Sequence, residues 1–145
     1  AEHITTIDHD MELPTKVLNP EREFKGQKFV HNKADKSTWS DFRIPGFKCR
    51  DTTIAENTKN VAGVQVVRPN GSAIKPSKHD CDILFNFVME GKMTLTASGQ
   101  PSNELTSGDA FVIPPDLSTE YSNLSKDLEL LEVSLPGKFK TYYDA

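Results

Sequence analysis

From Lys28 onward the chain never holds one periodicity for long, and this constrains its fold more than any other feature. Short segments rich in β-branched and aromatic residues alternate with clusters of Gly, Pro, Asn and Asp. Turn chemistry falls at PNGS (69–72), EGK (90–92), SGQP (98–101), SGD (107–109) and PPD (114–116). Between these turns the sequence predicts strands at Lys28 to His31, Trp39 to Arg43, Gly63 to Arg68, Ile83 to Glu90, Lys92 to Ala97, Ala110 to Ile113 and Leu128 to Leu135. Strands so short and so spaced bury their apolar faces only by closing over one another, as a sandwich or barrel. The fold class is therefore all-β. The one helical candidate is a short turn at Thr52 to Asn57, and no heptad, internal repeat or low-complexity tract is present.

Two strands carry distinct burial signatures. Lys92 to Ala97 alternates strictly, which puts Met93, Leu95 and Ala97 on one buried face and leaves the other wet. Ile83 to Met89 is apolar at every position except Asn86, the pattern of a strand covered on both sides, where a lone Asn needs partners.

A chain of 145 residues fits one domain. Residues 1–27 are polar, contain Pro14 and Pro20 and show no sustained period, so they read as an arm, with at most a short strand at Lys16 to Leu18; residues 28–145 form the domain. Seventeen Lys and Arg against 21 Asp and Glu give a formal charge of −4, and the cations are scattered, so nucleic acid is not an expected partner. No apolar run approaches the roughly 20 residues that span a bilayer, and AEHITTIDHD lacks the apolar core of a signal peptide. No membrane partner is expected. Two cysteines, Cys49 and Cys81, are too few for a disulfide framework; reduced thiols in a cytoplasmic protein are the simplest expectation, with a single Cys49–Cys81 bridge left open.

Gly71 and Gly91, followed by Gly108, Pro114 and Asn123, stand at spacings that resemble the two motifs of the cupins, G-x5-H-x-H-x3,4-E-x6-G and G-x5-P-x-G-x2-H-x3-N. The resemblance covers about Gly63 to Pro136 and implies a cupin-like jelly-roll β-barrel behind the N-terminal arm. In that family three histidines and a glutamate hold a metal. Here the corresponding positions are Ser77, His79, Leu84 and Thr119, and Asp116 replaces a motif glycine. One donor of four remains, and Ser, Thr and Leu do not hold a first-row metal as imidazole and carboxylate do. The expectation is a degenerate site with no cofactor.

What the resemblance then implies is a small-molecule ligand in the barrel mouth, lined by Ser77, His79, Leu84, Asn86, Thr119 and Tyr121. An enzyme is the alternative. It would be a metal-dependent dioxygenase or isomerase that improvises a divalent transition-metal site from His79, Cys81 and Glu120, or a metal-free sugar isomerase or epimerase with His79 as base and Tyr121 as acid. For the latter the nearest cations to receive a diphosphate are Lys75, Lys78 and Arg68. On its own chemistry His79 is first a rim histidine bonded to Ser77 or Thr119, and Cys81 a small buried hydrophobe. His3, His9 and His31 are expected in solvent. Trp39, Phe42 and Phe47 are expected to form an apolar seam, and Phe139, Tyr142 and Tyr143 to dock the tail. The resemblance also implies a homodimer through exchanged N-terminal strands.

Overall fold

The computed structural model describes residues 22–143; the expected strand at Lys16 to Leu18, with His3 and His9, lies outside them. Strands β1 (Glu23–Phe24) and β2 (Gln27–Lys28) form an isolated hairpin. Lys25 and Gly26 turn it with φ of 54° and 84°, the two positive values that a tight right-twisted hairpin asks for. The predicted strand Lys28 to His31 is thus corrected: its first residue pairs backwards into the arm, and no strand follows until β3 (Ser40–Asp41).

The remaining strands are β4 (Phe47–Asp51), β5 (Gly63–Pro69), β6 (Ser77–His79), β7 (Ile83–Glu90), β8 (Lys92–Ala97), β9 (Asn103–Thr106), β10 (Ala110–Val112), β11 (Thr119–Ser122), β12 (Glu129–Leu135) and β13 (Thr141–Tyr143). One short helix, α1 (Ile54–Asn57), joins β4 to β5. β3 to β13 build two antiparallel sheets, one ordered β10-β7-β12-β5-β4-β3 and the other β13-β6-β11-β8-β9. Among the described residues no helix is long and apolar enough to cross a membrane.

The core lies between the sheets. Val67, Leu84, Val88 and Leu130 from the first sheet meet Met93 and Tyr121 from the second. Phe42, Ile44 and Phe47, at the β3–β4 turn, close one side, and Phe47 stands edge-to-face on both Phe42 and Tyr121. Trp39 does not join this seam: its ring lies under Arg68 and Lys48, at 4.5 and 5.6 Å, outside the core.

Two burial expectations change. The outward face of β7 is open at Ile83, which is 48% exposed, whereas Leu84, Asn86 and Val88 on the inward face are sealed. The outward face of β8 is not wholly wet, since Thr94 is buried and its hydroxyl accepts a hydrogen bond from Asn123.

The turns explain why the glycine and proline spacing survives. A side chain on Gly91 would strike the Leu128 backbone at 2.8 Å, and its φ of 78° disfavours any other residue. Asp116, which replaces a motif glycine, keeps the left-handed conformation at φ 66°, and its N–H donates to the His79 carbonyl at 2.9 Å. Aspartate tolerates this region better than most residues, so the turn is preserved without glycine.

Candidate functional site

The register of the large sheet lays one row of polar side chains across its inner face. Asp51 pairs with Gln65, Gln65 with Glu132, and Glu132 with Asn86. Cross-strand partners lie about 4.8 Å apart and point to the same face, so four adjacent strands present carboxylate, amide, carboxylate and amide side by side. Above the row opens a cavity of about 400 Å³, lined by Asp41, Arg43, Asp51, Gln65, Glu132 and Ser134, with Lys138 and Phe139 at its C-terminal wall. Other hollows of similar size lie elsewhere on the surface, with a different lining. Its place on the inner face of the large sheet, above the polar row, distinguishes this one.

Arg43 enters the cavity from the β3–β4 turn. Its fork grips Glu132 through Nη2 to Oε1 at 2.6 Å and Nε to Oε2 at 3.3 Å, while Nη1 donates to the Thr141 hydroxyl at 3.3 Å. The guanidinium lies over Phe42 and Phe139, 5.0 and 5.1 Å from their centroids. Tyr143 donates its hydroxyl hydrogen bond to the Arg43 carbonyl. Burial works to lower the Arg43 pKa, but the charge and hydrogen bonds of Glu132 outweigh it and the pKa is raised. Asn86 steadies the carboxylate from behind, Nδ2 to Oε1 at 3.4 Å. That is the partner the lone Asn of β7 requires.

Of the six positions selected from sequence, Asn86 belongs to this row but is sealed behind Glu132, and the other five lie elsewhere in the interior. Ser77, His79, Leu84, Asn86, Thr119 and Tyr121 are all under 5% exposed, and none lines the cavity. Ser77 and Thr119 face each other across β6 and β11. His79 Nε2 lies 2.7 Å from the Ile113 carbonyl, which only accepts, so Nε2 carries the proton. Nδ1 then accepts from the Cys81 N–H at 3.1 Å, with Cys81 Sγ at 3.2 Å. The partners are therefore not Ser77 or Thr119, and both ring nitrogens are engaged, which leaves neither free to take up a metal or a substrate proton. The Tyr121 hydroxyl does not reach His79. It is the one fully buried side-chain polar atom without a partner among the described residues. Burial pushes its pKa above the ordinary phenol range against the opposing charge of Arg43.

The trio His79, Cys81 and Glu120 is not brought together, because Glu120 is exposed between the buried Thr119 and Tyr121 and so faces outward. Both cysteines are free thiols rather than a bridge. Burial pushes Cys81 up to about 11, with the Arg43 charge pulling the other way. At pH 8 roughly one Cys81 in a thousand is then thiolate. A maleimide or disulfide reagent at that pH is expected to modify Cys81 at least 100-fold more slowly in the native protein than in denaturant. Equal rates would overturn this account of the thiol.

Of the cavity residues, Arg43, Glu132, Asp51, Gln65, Ser134 and Lys138 were not singled out from sequence. One signal was available: in ELLEVSL, Glu132 and Ser134 take the same face as Leu130, so a buried polar pair interrupts an apolar face. Arg43, flanked by Phe42 and Ile44 in a turn, carries no such mark.

Two facing antiparallel sheets with a polar cavity at one end define the class, a small antiparallel β-barrel with a pocket in its mouth. Within that class the chain belongs to the cupins: the family model described as a cupin domain matches residues 63–134. Similar solved structures include the polyketide cyclase RemF from Streptomyces resistomycificus, at 19% identity and TM-score 0.63, covering 82% of this chain and 86% of that one. KdgF from a Halomonas species is similar at 18% identity and TM-score 0.61, over 74% of this chain and 95% of its own. An RmlC-like cupin from Shewanella frigidimarina shares 15% identity at TM-score 0.61, over 78% and 96%. At these identities the likeness is one of fold. No curated protein matches the sequence.

The metal chemistry that the family implies does not fit this chain. Of its four ligand positions, Leu84 has no donor, Ser77 and Thr119 offer hydroxyls, and the His79 ring is already bonded at both nitrogens. Among the described residues no three His, Cys, Asp or Glu side chains converge.

Proposed function

We propose that this cupin binds a small organic molecule in the cavity above Asp51, Gln65 and Glu132, and that Arg43 and Glu132 form its fixed floor. The observation that carries the reading is the cross-strand row itself. Gln65 is half-buried at the cavity, and its amide makes no hydrogen bond to another side chain among the described residues, so its donors and acceptor stay available. A volume near 400 Å³ falls within the range of small-molecule sites. The chemistry on offer is orientation by hydrogen bonds. His79, which a proton-abstracting mechanism would need, is bonded elsewhere.

The test is a thermal-shift survey of chemically diverse small molecules. A true ligand at 100 times its Kd stabilises the folded state by about 2.7 kcal/mol, which raises the melting temperature by roughly 5–10 °C. The shift should grow with ligand concentration and fall in Gln65→Leu. If no compound produces one, the barrel is a filled structural unit and the reading fails.

A further inference from the structure

The cavity also carries a pattern of charge and hydrogen-bonding capacity that selects among ligands. Its lining holds three carboxylates, Asp41, Asp51 and Glu132, against two cations, Arg43 and Lys138, for a sum of −1. Arg43 is committed to Glu132 through Nε and Nη2 and to Thr141 through Nη1, so this guanidinium is not available to a phosphate or carboxylate entering from outside. Lys138 is exposed at the wall, where water competes for it. Asp41 and Asp51 are exposed as well, and among the described residues neither forms an ion pair. An anion would therefore meet acidic side chains first and find no free guanidinium behind them.

The same row is well supplied for hydroxyl groups. A hydroxyl needs an acceptor for its proton and a donor for its lone pairs. Along the row acceptor and donor alternate: the Asp51 carboxylate accepts through the oxygen that the Thr53 N–H does not occupy, the Gln65 amide does both, and Glu132 accepts at the lone pairs that Arg43 and Asn86 leave open. The Ser134 hydroxyl stands one step along β12 on the same face and is bonded only to the Gly137 carbonyl.

From this placement we infer that the cavity takes an uncharged polyhydroxylated molecule, such as a free sugar, cyclitol or nucleoside, with its hydroxyls laid along Asp51, Gln65 and Glu132, and that it rejects the phosphate esters of the same molecules. The inference rests on the small-molecule reading above and narrows it to one ligand class.

The experiment uses the full chain and matched pairs: glucose, ribose, myo-inositol and adenosine, each beside its monophosphate ester, in thermal shift and then calorimetry. The expected result is binding of one or more uncharged members, at least tenfold weaker binding of the matched phosphate, and at least tenfold loss in Gln65→Leu. The Gln65→Leu protein itself should melt where the parent does, because that amide supports nothing else in the fold. Asp51→Lys should narrow the gap between ester and parent compound by reversing the charge at the rim. Binding of the phosphate as tight as that of its parent, or binding indifferent to Gln65→Leu, overturns the inference. If none of these pairs binds but an apolar or anionic compound from the wider survey does, the ligand class is wrong and the binding reading stands. If nothing binds in either experiment, the binding reading itself falls.

Discussion

Glu132→Ala is expected to cost about 3 kcal/mol of folding stability, at the low end of what breaking a buried ion pair costs, and to lower the melting temperature by roughly 10 °C. The argument is one of abandonment. Glu132 is 4% exposed and Arg43 17%, so the carboxylate lies in the interior and the guanidinium at its edge. With Glu132 gone, the guanidinium faces a low-dielectric wall, Asn86 loses its acceptor, and Tyr121 stands beside an uncompensated cation. A guanidinium stays charged at any pH a protein survives, so the loss cannot be relieved by a proton. Partial exposure lets Arg43 swing towards water, which sets the low end of the range. The double variant Arg43→Met with Glu132→Leu separates pair from packing. Removing both charges removes both desolvation penalties, so this variant should recover most of the stability lost in Glu132→Ala. Chemical denaturation of parent, single and double variants measures it. A single variant as stable as the parent, or a double variant no better than the single, would show that the pair does not carry the mouth of the barrel.

Legibility in the sequence followed the physics of each strand. β7 and β8 match their predicted bounds because apolar and alternating residues there meet the core directly, and EGK between them leaves the chain one way to turn. β6, β9 and β11 escaped because SKH, NELT and TEYS are polar, and their strand character comes from the neighbours that hydrogen-bond them. β4 did alternate, Phe47 and Cys49 inward against Lys48 and Arg50 outward, but over too few residues to stand out. The glycine, proline and asparagine spacing led to the fold because those residues answer to backbone geometry, which persists when side-chain chemistry changes. For the same reason it points to the family's ligand positions rather than to the cavity. It drew attention to Ser77, His79, Leu84 and Thr119, the positions at which the framework would present ligands, whereas the open, polar part of this barrel is assembled by Asp51, Gln65 and Glu132 on other strands. Only the pairing register brings those three together, and no local pattern encodes a register across 81 residues of chain, from 51 to 132.

His79 offers the second large effect, because it is sealed in the interior with both ring nitrogens engaged. His79→Ala is expected to lose about 3–5 kcal/mol. Truncation empties a site that is 1% exposed, and large-to-small changes in such sites commonly cost 2–5 kcal/mol. It also leaves the Ile113 carbonyl and the Cys81 N–H without partners, each worth about 1–3 kcal/mol when buried and unmet. The two losses overlap, since water entering the vacated space would satisfy part of what is orphaned, which keeps the total below their sum. Cys81→Ala gives the contrast: it removes the thiol but retains the backbone N–H on Nδ1, so it should cost no more than about 1.5 kcal/mol. The order of the two effects carries the argument. A histidine kept as a ligand or a base would be dispensable for folding, and its removal would leave the melting temperature where it was. A histidine that bridges β6 to the carbonyl after β10, with Phe139 packed edge-on at 5.9 Å, holds the barrel closed. Melting curves of the two variants beside the parent decide between them: if His79→Ala melts within about 1 °C of the parent, less than 1 kcal/mol of change, the supporting role assigned to this residue is wrong.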